Sequence, residues 1–343
     1  MNTIDIKIIS QKDIAQIFEN NADLSFKIIE DALLKYANGE VIFPDKISQI
    51  FDEGTQNRIN CMPATLLADK VSGLKWVSVF PPNSKKGIMN VTGIMVLSEI
   101  ETGFPVAVID GTFCTKLRTA SVGCVAAKYL APSVVEKVGF IGAGEEAKMH
   151  YALLKHLFPT IKECRICSRT HKSELAFIET FKNITPDVKF IDCNNDSSLA
   201  ADVDIIITAI SGQSPVLKAS DIRKGSLYIH VGGWEDEYGV ALKADKIVCD
   251  NWEASKHRTQ TICRMYKEGL LNDESIYANL DEIVSGKKKG RTNDDEFIYF
   301  NSVGLSFIDL NYANIIYKKS QELNLGTTIN MVSENWEDYS KII

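Results

Sequence analysis

The sequence predicts an α/β fold in which a doubly wound parallel sheet is inserted into an α+β domain of mainly antiparallel strands. Three observations carry this prediction. A short apolar run, Val138-Gly139-Phe140-Ile141, enters the turn Gly142-Ala143-Gly144-Glu145-Glu146-Ala147, and a helix-forming segment leaves it. That is the strand, turn and helix order which a Gly-x-Gly-x-x-Ala dinucleotide turn requires. Downstream, apolar strands at 137–141, 163–167, 188–192, 204–210, 226–231 and 246–250 alternate with helical or turn segments, the rhythm of a parallel sheet. Upstream, β-prone runs at 58–62, 71–80, 91–100 and 104–109 follow one another with short breaks, which favours antiparallel pairing.

Taken in order, residues 1–9 alternate apolar and polar and read as an opening strand. Over 22–37, Leu24, Ile28, Ala32, Leu33 and Tyr36 share one helical face. Asn38-Gly39 ends that helix, and Glu101-Thr102-Gly103 closes a hairpin between the last two upstream runs. A helix rich in small residues is expected from Phe113 to Leu130, stopped by Ala131-Pro132. After the parallel region come helices over 251–268 and 303–323, with a charged loop over 284–296. The layout is a Rossmann-type nucleotide domain over 114–302, inserted in a second domain made of 1–113 and 303–343.

At 343 residues the chain accommodates two domains, each with its own core. Its 45% hydrophobic and 24% charged content is that of an ordinary globular protein. A net charge of −7 argues against nucleic acid and acidic membrane surfaces as partners. No run approaches the ~20 apolar residues of a membrane span, and the opening MNTIDIKIIS lacks the basic and apolar regions of a signal peptide. A cytoplasmic enzyme is expected. The eight cysteines lie scattered in apolar segments and read as free thiols. Cys164 and Cys167 are three apart in a strand, so they face opposite sides, and no second pair completes a zinc site. His150 and His156 do not share a helix face. No metal is expected.

The Gly-rich turn has a mechanism. Gly142 permits the tight bend, Gly144 leaves the backbone open to a pyrophosphate at the helix N-terminus, and Ala147 lets the helix pack closely on its strand. The cofactor implied is a nicotinamide dinucleotide. The second strand ends Cys167-Ser168-Arg169-Thr170 without the carboxylate that holds a ribose 2′-OH. Ser168 and Arg169 suit a 2′-phosphate instead, which favours NADP(H) over NAD(H). Lys75 lies within an apolar strand, where a lysine either snorkels outward or serves a site. His230, at the end of another apolar strand, is expected to be a structural histidine.

Ordered along the chain are Cys61-Met62-Pro63, Gly73-Leu74-Lys75-Trp76, Leu117-Arg118-Thr119-Ala120-Ser121-Val122, the Gly-rich turn, Cys167-Ser168-Arg169-Thr170, Ala201 to Ala209, Gly290 to Glu296, and Ser302-Val303-Gly304. With these segments the sequence resembles the ornithine cyclodeaminase/mu-crystallin family over nearly its whole length. The resemblance implies a homodimer that pairs through antiparallel sheet, so that 1–113 and 303–343 form a substrate-binding and dimerisation domain. It implies an NAD(P)-dependent enzyme that oxidises an amine or reduces an imine on a small amino acid. By the same resemblance Lys75 lies next to the reacting α-carbon and Arg118 clamps the substrate carboxylate. Lys46 stands where many members have a second carboxylate-binding arginine, with Arg58 as the alternative. Thr119 lies near the cofactor phosphates. Gly142, Ala143, Gly144, Glu145, Ala147, Ser168, Arg169, Thr170, Thr208, Ala209, Val231, Gly232, Ser302 and Gly304 are the other cofactor-binding positions.

One turn departs from the family pattern. Cyclodeaminases carry an aspartate directly after a Val-Gly-Gly turn, and here Val231-Gly232-Gly233 is followed by Trp234. Glu235 and Asp236 are the candidate replacements for binding substrate. The stretch from Cys249 to Gly269 and the tail Leu325 to Asn330 are similar to the branch of N-(2-amino-2-carboxyethyl)-L-glutamate dehydrogenases, which release 2,3-diaminopropionate for siderophores together with 2-oxoglutarate. The expected reaction is oxidation of a C–N bond to an imine, followed by hydrolysis. The alternatives are ornithine or lysine cyclodeamination, reduction of an imine such as pyrroline-carboxylate, and a non-catalytic binding role like that of mu-crystallin.

Overall fold

The computed structural model describes residues 3–52, 54–210, 212–332 and 340. The chain divides into two compact units, Met1–Arg118 with Ser306–Ile343, and Thr119–Leu305. The first change-over falls within the helix Gly111–Leu130, five residues later than the sequence suggested, and the second at the start of the helix Ser306–Glu322. Most of the chain beyond 332 lies outside the described residues.

The first unit is built on an eight-stranded sheet. Its order is Thr327–Val332, Ile4–Ile9, Pro105–Asp110, Val91–Glu99, Val71–Val79, Asn57–Leu66 and Val41–Ile42, with Ile47–Asp52 also paired to Asn57–Leu66. All pairings are antiparallel except that of Ile4–Ile9 with Pro105–Asp110. Alternate residues face inward, as strand geometry demands. Val71, Lys75 and Val77 are buried on the same side as Met95 and Leu97, whereas Trp76 and Ile94, opposite one another in register, are exposed.

The helix Ser306–Glu322 belongs to this unit's core. Phe307 stacks on Tyr36 at 4.9 Å and meets Phe43 edge-on at 5.2 Å, and burying such a ring contributes on the order of 2 kcal/mol. Polar residues on the helix are buried with partners: Asn311 donates to the Ile28 carbonyl and to Asp31, and the Tyr312 hydroxyl donates to the Ser25 carbonyl. Gly73 sets the close approach. A Cβ there would lie 2.2 Å from the Val96 carbonyl oxygen and 2.8 Å from Leu310 Cδ1, so a larger residue would collide with both the adjacent strand and the helix.

The main sheet of the second unit has eight strands, all parallel, and Gln213–Leu217 pairs with Trp234–Asp236 in a small sheet of its own. The order in the main sheet is Lys189–Asp192, Glu163–Cys167, Lys137–Ile141, Ile205–Thr208, Leu227–His230, Ile298–Asn301, Lys246–Cys249 and Ala278–Asn279. The four strands Ile205–Thr208, Leu227–His230, Lys246–Cys249 and Ile298–Asn301 are buried at every position, as expected for a sheet covered on both faces. Strand order reverses between Lys137–Ile141 and Ile205–Thr208, the switch point at which such sheets bind ligands.

Two expectations need correction. The single helix over 251–268 is two, Trp252–Ser255 and Thr261–Lys267. Asn251 caps the first through the Ala254 N–H, and Gln260 adopts an extended conformation that starts the second afresh. The strand Ile298–Asn301 was not anticipated, yet it lies between Leu227–His230 and Lys246–Cys249.

Candidate functional site

In the second unit the parallel arrangement brings the C-terminal strand ends, and so the residues after them, to one sheet edge: Gly142, Ser168, Ala209, Val231 and Ser302. Gly142 has φ +113°, and a Cβ there would sit 2.5 Å from the Ala209 carbonyl oxygen, so the turn demands glycine. Its N–H donates to the Cys167 carbonyl at 2.8 Å. Gly144 is the N-cap of the helix Glu145–Leu157, and a Cβ on it would meet nothing within 4 Å. Open space over a helix N-terminus, where backbone N–H groups await partners, fits a pyrophosphate. Ala143 and Ala147 are buried, Glu145 is exposed, and Thr119 is half-buried on its helix.

The Ser168 loop is held from below. The buried Glu174 carboxylate accepts the backbone N–H groups of Ser168, Asn194 and Asn195 at 2.7, 3.1 and 3.2 Å. The Ser168 hydroxyl donates to the Thr170 carbonyl, and Arg169 is exposed with no side-chain hydrogen bond among the described residues. His171, Glu174 and Asp192 lie close enough to suggest a metal cluster. Three backbone donors already occupy Glu174, which makes it a loop clamp. At the far end of the edge, Asp250 accepts from the Val303 and Gly304 N–H groups at 2.7 and 2.8 Å and from the Ser302 hydroxyl at 3.2 Å. Burial pushes the Asp250 carboxyl upward, and the backbone hydrogen bonds oppose that shift.

Glu235 and Asp236, expected to bind substrate, are fully buried. Glu235 accepts from the Thr208 hydroxyl and the Ile210 N–H at 2.6 Å each, and from the Gly232 N–H at 2.9 Å. A Cβ on Gly232 would lie 2.2 Å from Glu235 Oε1, so that glycine is what lets the carboxylate fold back over the strand ends. Asp236 accepts from Thr261 at 2.6 Å and from Tyr299 at 3.2 Å, and burial raises its pKa. Both carboxylates therefore serve the interior of the unit, and the Thr208 side chain, bonded to Glu235 and Tyr228, is turned inward with them. His230 joins the same network through Asn301 at 2.9 Å. Trp234 instead lies under the Arg264 guanidinium, 4.7 Å from ring centroid to Cζ.

In the first unit three residues far apart in sequence meet. Lys75, in the strand Val71–Val79, is 1% exposed; Asp309, in the first turn of the helix Ser306–Glu322, is 2% exposed. Lys75 Nζ stands 2.7 Å from Asp309 Oδ2, and Arg118 Nε donates to Asp309 Oδ1 at 2.9 Å. The lysine contact is an ion pair by distance but is not a well-directed hydrogen bond, so Nζ keeps unsatisfied donors in a buried place. Met62, Leu74, Met95, Ser306, Leu310 and Ala313 line the narrow space around it. Burial and then the charge of Arg118 lower the Lys75 pKa to about 8, with Asp309 opposing both. Neither Nη group of Arg118 makes a hydrogen bond among the described residues. Such an arrangement can clamp a carboxylate through two parallel bonds and exchange a proton near neutral pH.

Lys46 is half-buried just before the strand Ile47–Asp52, and Arg58 donates to the Gln56 carbonyl. Neither is joined to the Lys75 cluster by a described hydrogen bond or ion pair. Asp309 was missed by the sequence reading. Its only local signal is a carboxylate at the start of an otherwise apolar helix face.

Fold and site together define a nicotinamide-dinucleotide oxidoreductase. The chain belongs to the ornithine cyclodeaminase/mu-crystallin family, matching it over residues 7–324. It is 27% identical to the N-((2S)-2-amino-2-carboxyethyl)-L-glutamate dehydrogenase of Staphylococcus aureus, covering 94% of this chain and 98% of that protein. Among solved structures it is similar to the Thermococcus litoralis Delta(1)-pyrroline-2-carboxylate reductase in complex with NADH and L-proline, with TM-score 0.89, 29% identity, and coverage of 94% and 100% of the two chains. It is also similar to an archaeal alanine dehydrogenase dimer with bound NAD, with TM-score 0.88, 29% identity, and coverage of 96% and 100%.

Proposed function

We propose that the protein oxidises the C–N bond of a small or N-substituted α-amino acid to an imine and then hydrolyses the imine to an amine and a 2-oxo acid. The cluster of Lys75, Asp309 and Arg118 carries this reading. In it the Nη groups of Arg118 hold the substrate carboxylate and fix the α-carbon. Lys75, with a pKa of about 8, exchanges the proton that the amine or the attacking water loses. A nicotinamide dinucleotide held at the Gly142 to Gly144 turn would supply the hydride acceptor. The same groups serve the reverse direction, imine reduction, which the likeness to the pyrroline-carboxylate reductase favours as the second reading.

The substrate we favour is N-(2-amino-2-carboxyethyl)-L-glutamate. Support comes from the S. aureus relative and from the turn after Gly233, where Trp234 replaces an acid while Glu235 and Asp236 are engaged in the interior. That engagement leaves neither Glu235 nor Asp236 available to a second substrate amine, which counts against ornithine cyclisation. Ser168 and Arg169 support NADP(H) as well as NAD(H), because the exposed guanidinium is free to meet a 2′-phosphate. A homodimer is part of the reading, with the exposed Trp76 and Ile94 side of the first unit's sheet against a second copy, as supported by the dimeric relative. The test is a panel of N-(2-amino-2-carboxyethyl)-L-glutamate, L-alanine, 1-pyrroline-2-carboxylate and L-ornithine with both cofactors, with products identified by mass spectrometry. Release of 2-oxoglutarate and 2,3-diaminopropionate, with reduced nucleotide accumulating, is expected. Conversion of ornithine to proline without net reduction would overturn the assignment.

A further inference from the structure

Resting on the reading above, we infer that Asp309 is the positioning residue of the cluster: one carboxylate oxygen orients the guanidinium of Arg118, and the other governs whether Lys75 carries its proton. The two oxygens are divided between two cations. Oδ1 takes Arg118 Nε at 2.9 Å, and Oδ2 stands 2.7 Å from Lys75 Nζ. Because the bond falls on Nε, the Nη pair is left pointing away with its end-on fork intact, the geometry that a second carboxylate needs. The location suits the task, since Asp309 sits in the first turn of its helix, where aligned peptide dipoles favour negative charge.

The groups that face Lys75 divide cleanly. The helix Gly111–Leu130 contributes Arg118 and the buried thiol of Cys114, which burial keeps in its neutral form. The helix Ser306–Glu322 contributes Asp309, and the flanking strands contribute Met62 and Met95, which carry no charge. Asp110, at the end of the strand Pro105–Asp110, faces Cys114. Burial and Arg118 both act to strip the proton from the amine, and Asp309 is the principal group acting to keep it. Asp309→Asn removes the charge while keeping the shape, so the amine must lose its proton at lower pH. Arg118→Gln removes the opposing cation and must do the reverse.

The experiment follows lysine Cε signals by NMR in protein labelled with carbon-13 lysine, the Lys75 signal being assigned by its absence in Lys75→Met. The native signal should titrate near pH 8. It should move down by about one unit or more in Asp309→Asn and up in Arg118→Gln, and it should stay in place in Asp69→Asn, a remote ion-pair control on Lys35 and Lys318. A Lys75 signal that does not move in Asp309→Asn, or that moves the same way in both cluster variants, overturns the inference. With 1-pyrroline-2-carboxylate and NADH as probe, Asp309→Asn should also raise KM about tenfold through the loosened arginine. If the titrations behave as stated while Lys75→Met and Arg118→Gln turn over the whole panel as the native protein does, the functional reading fails and the positioning role stands.

Discussion

Replacing Lys75 by methionine should make the protein more stable and nearly inactive. The native ammonium is buried to 1% exposure, and its pKa falls from 10.5 to about 8. A depression of about 2.5 units corresponds to about 3 kcal/mol of cost for holding the charged form in the folded state at pH 7. Between about 8 and 10.5 the unfolded chain binds more protons than the folded one, so this cost declines as pH rises, to under about 1 kcal/mol by pH 10. Methionine fills nearly the same volume without charge, and Asp309 keeps its bond to Arg118. Urea denaturation of both proteins at pH 7 and pH 10 reads the effect: the variant should have the higher midpoint at pH 7, and the gap should shrink at pH 10. Turnover of the preferred substrate should fall by about 10²–10⁴. A variant less stable than the native protein at pH 7, or a gap independent of pH, would refute the picture of a strained, functional lysine.

Other substitutions separate fold from function. Gly144→Ala should change the thermal midpoint little, since a Cβ there meets nothing within 4 Å, while weakening NAD binding about tenfold by intruding on the phosphate cradle; isothermal calorimetry checks both cofactors. Gly73→Ala should destabilise the first unit by about 3 kcal/mol through the 2.2 Å approach to Val96, seen as an earlier unfolding transition. Arg118→Lys keeps the charge but loses the fork, and KM for the amino-acid substrate should rise about tenfold to a hundredfold with a smaller change in kcat. Arg169→Ala should weaken NADPH more than NADH, measured by fluorescence titration, and equal losses would remove the guanidinium from any 2′-phosphate contact.

The parallel unit was readable because its signals are local. Gly142, Gly144 and Ala147 mark the turn by their spacing, Gly142 with a φ of +113° that side-chained residues rarely adopt, and fully buried strands such as Ile205–Thr208 stand out as short apolar runs. Lys75 was conspicuous for the opposite reason, as a charge inside an apolar strand. What escaped depends on contacts between distant segments. Asp309 acquires meaning only beside Lys75 and Arg118, 234 and 191 residues away. Glu235 and Asp236 looked available because their direction rests on how Gly232 lets the chain fold back, a fact of backbone geometry rather than composition. Edge strands such as Ile47–Asp52 and Thr327–Val332 have few buried positions, so their pattern carries little of the alternation by which strands are recognised.

The most direct test of the central claim follows the hydride itself. NADH deuterated at the transferring carbon is incubated with 1-pyrroline-2-carboxylate, and in parallel with pyruvate and ammonia. The account predicts an amino acid carrying deuterium on its α-carbon from the native protein, and little or none from Lys75→Met or Arg118→Gln. Unlabelled product, or equal label from native and variant proteins, would contradict it.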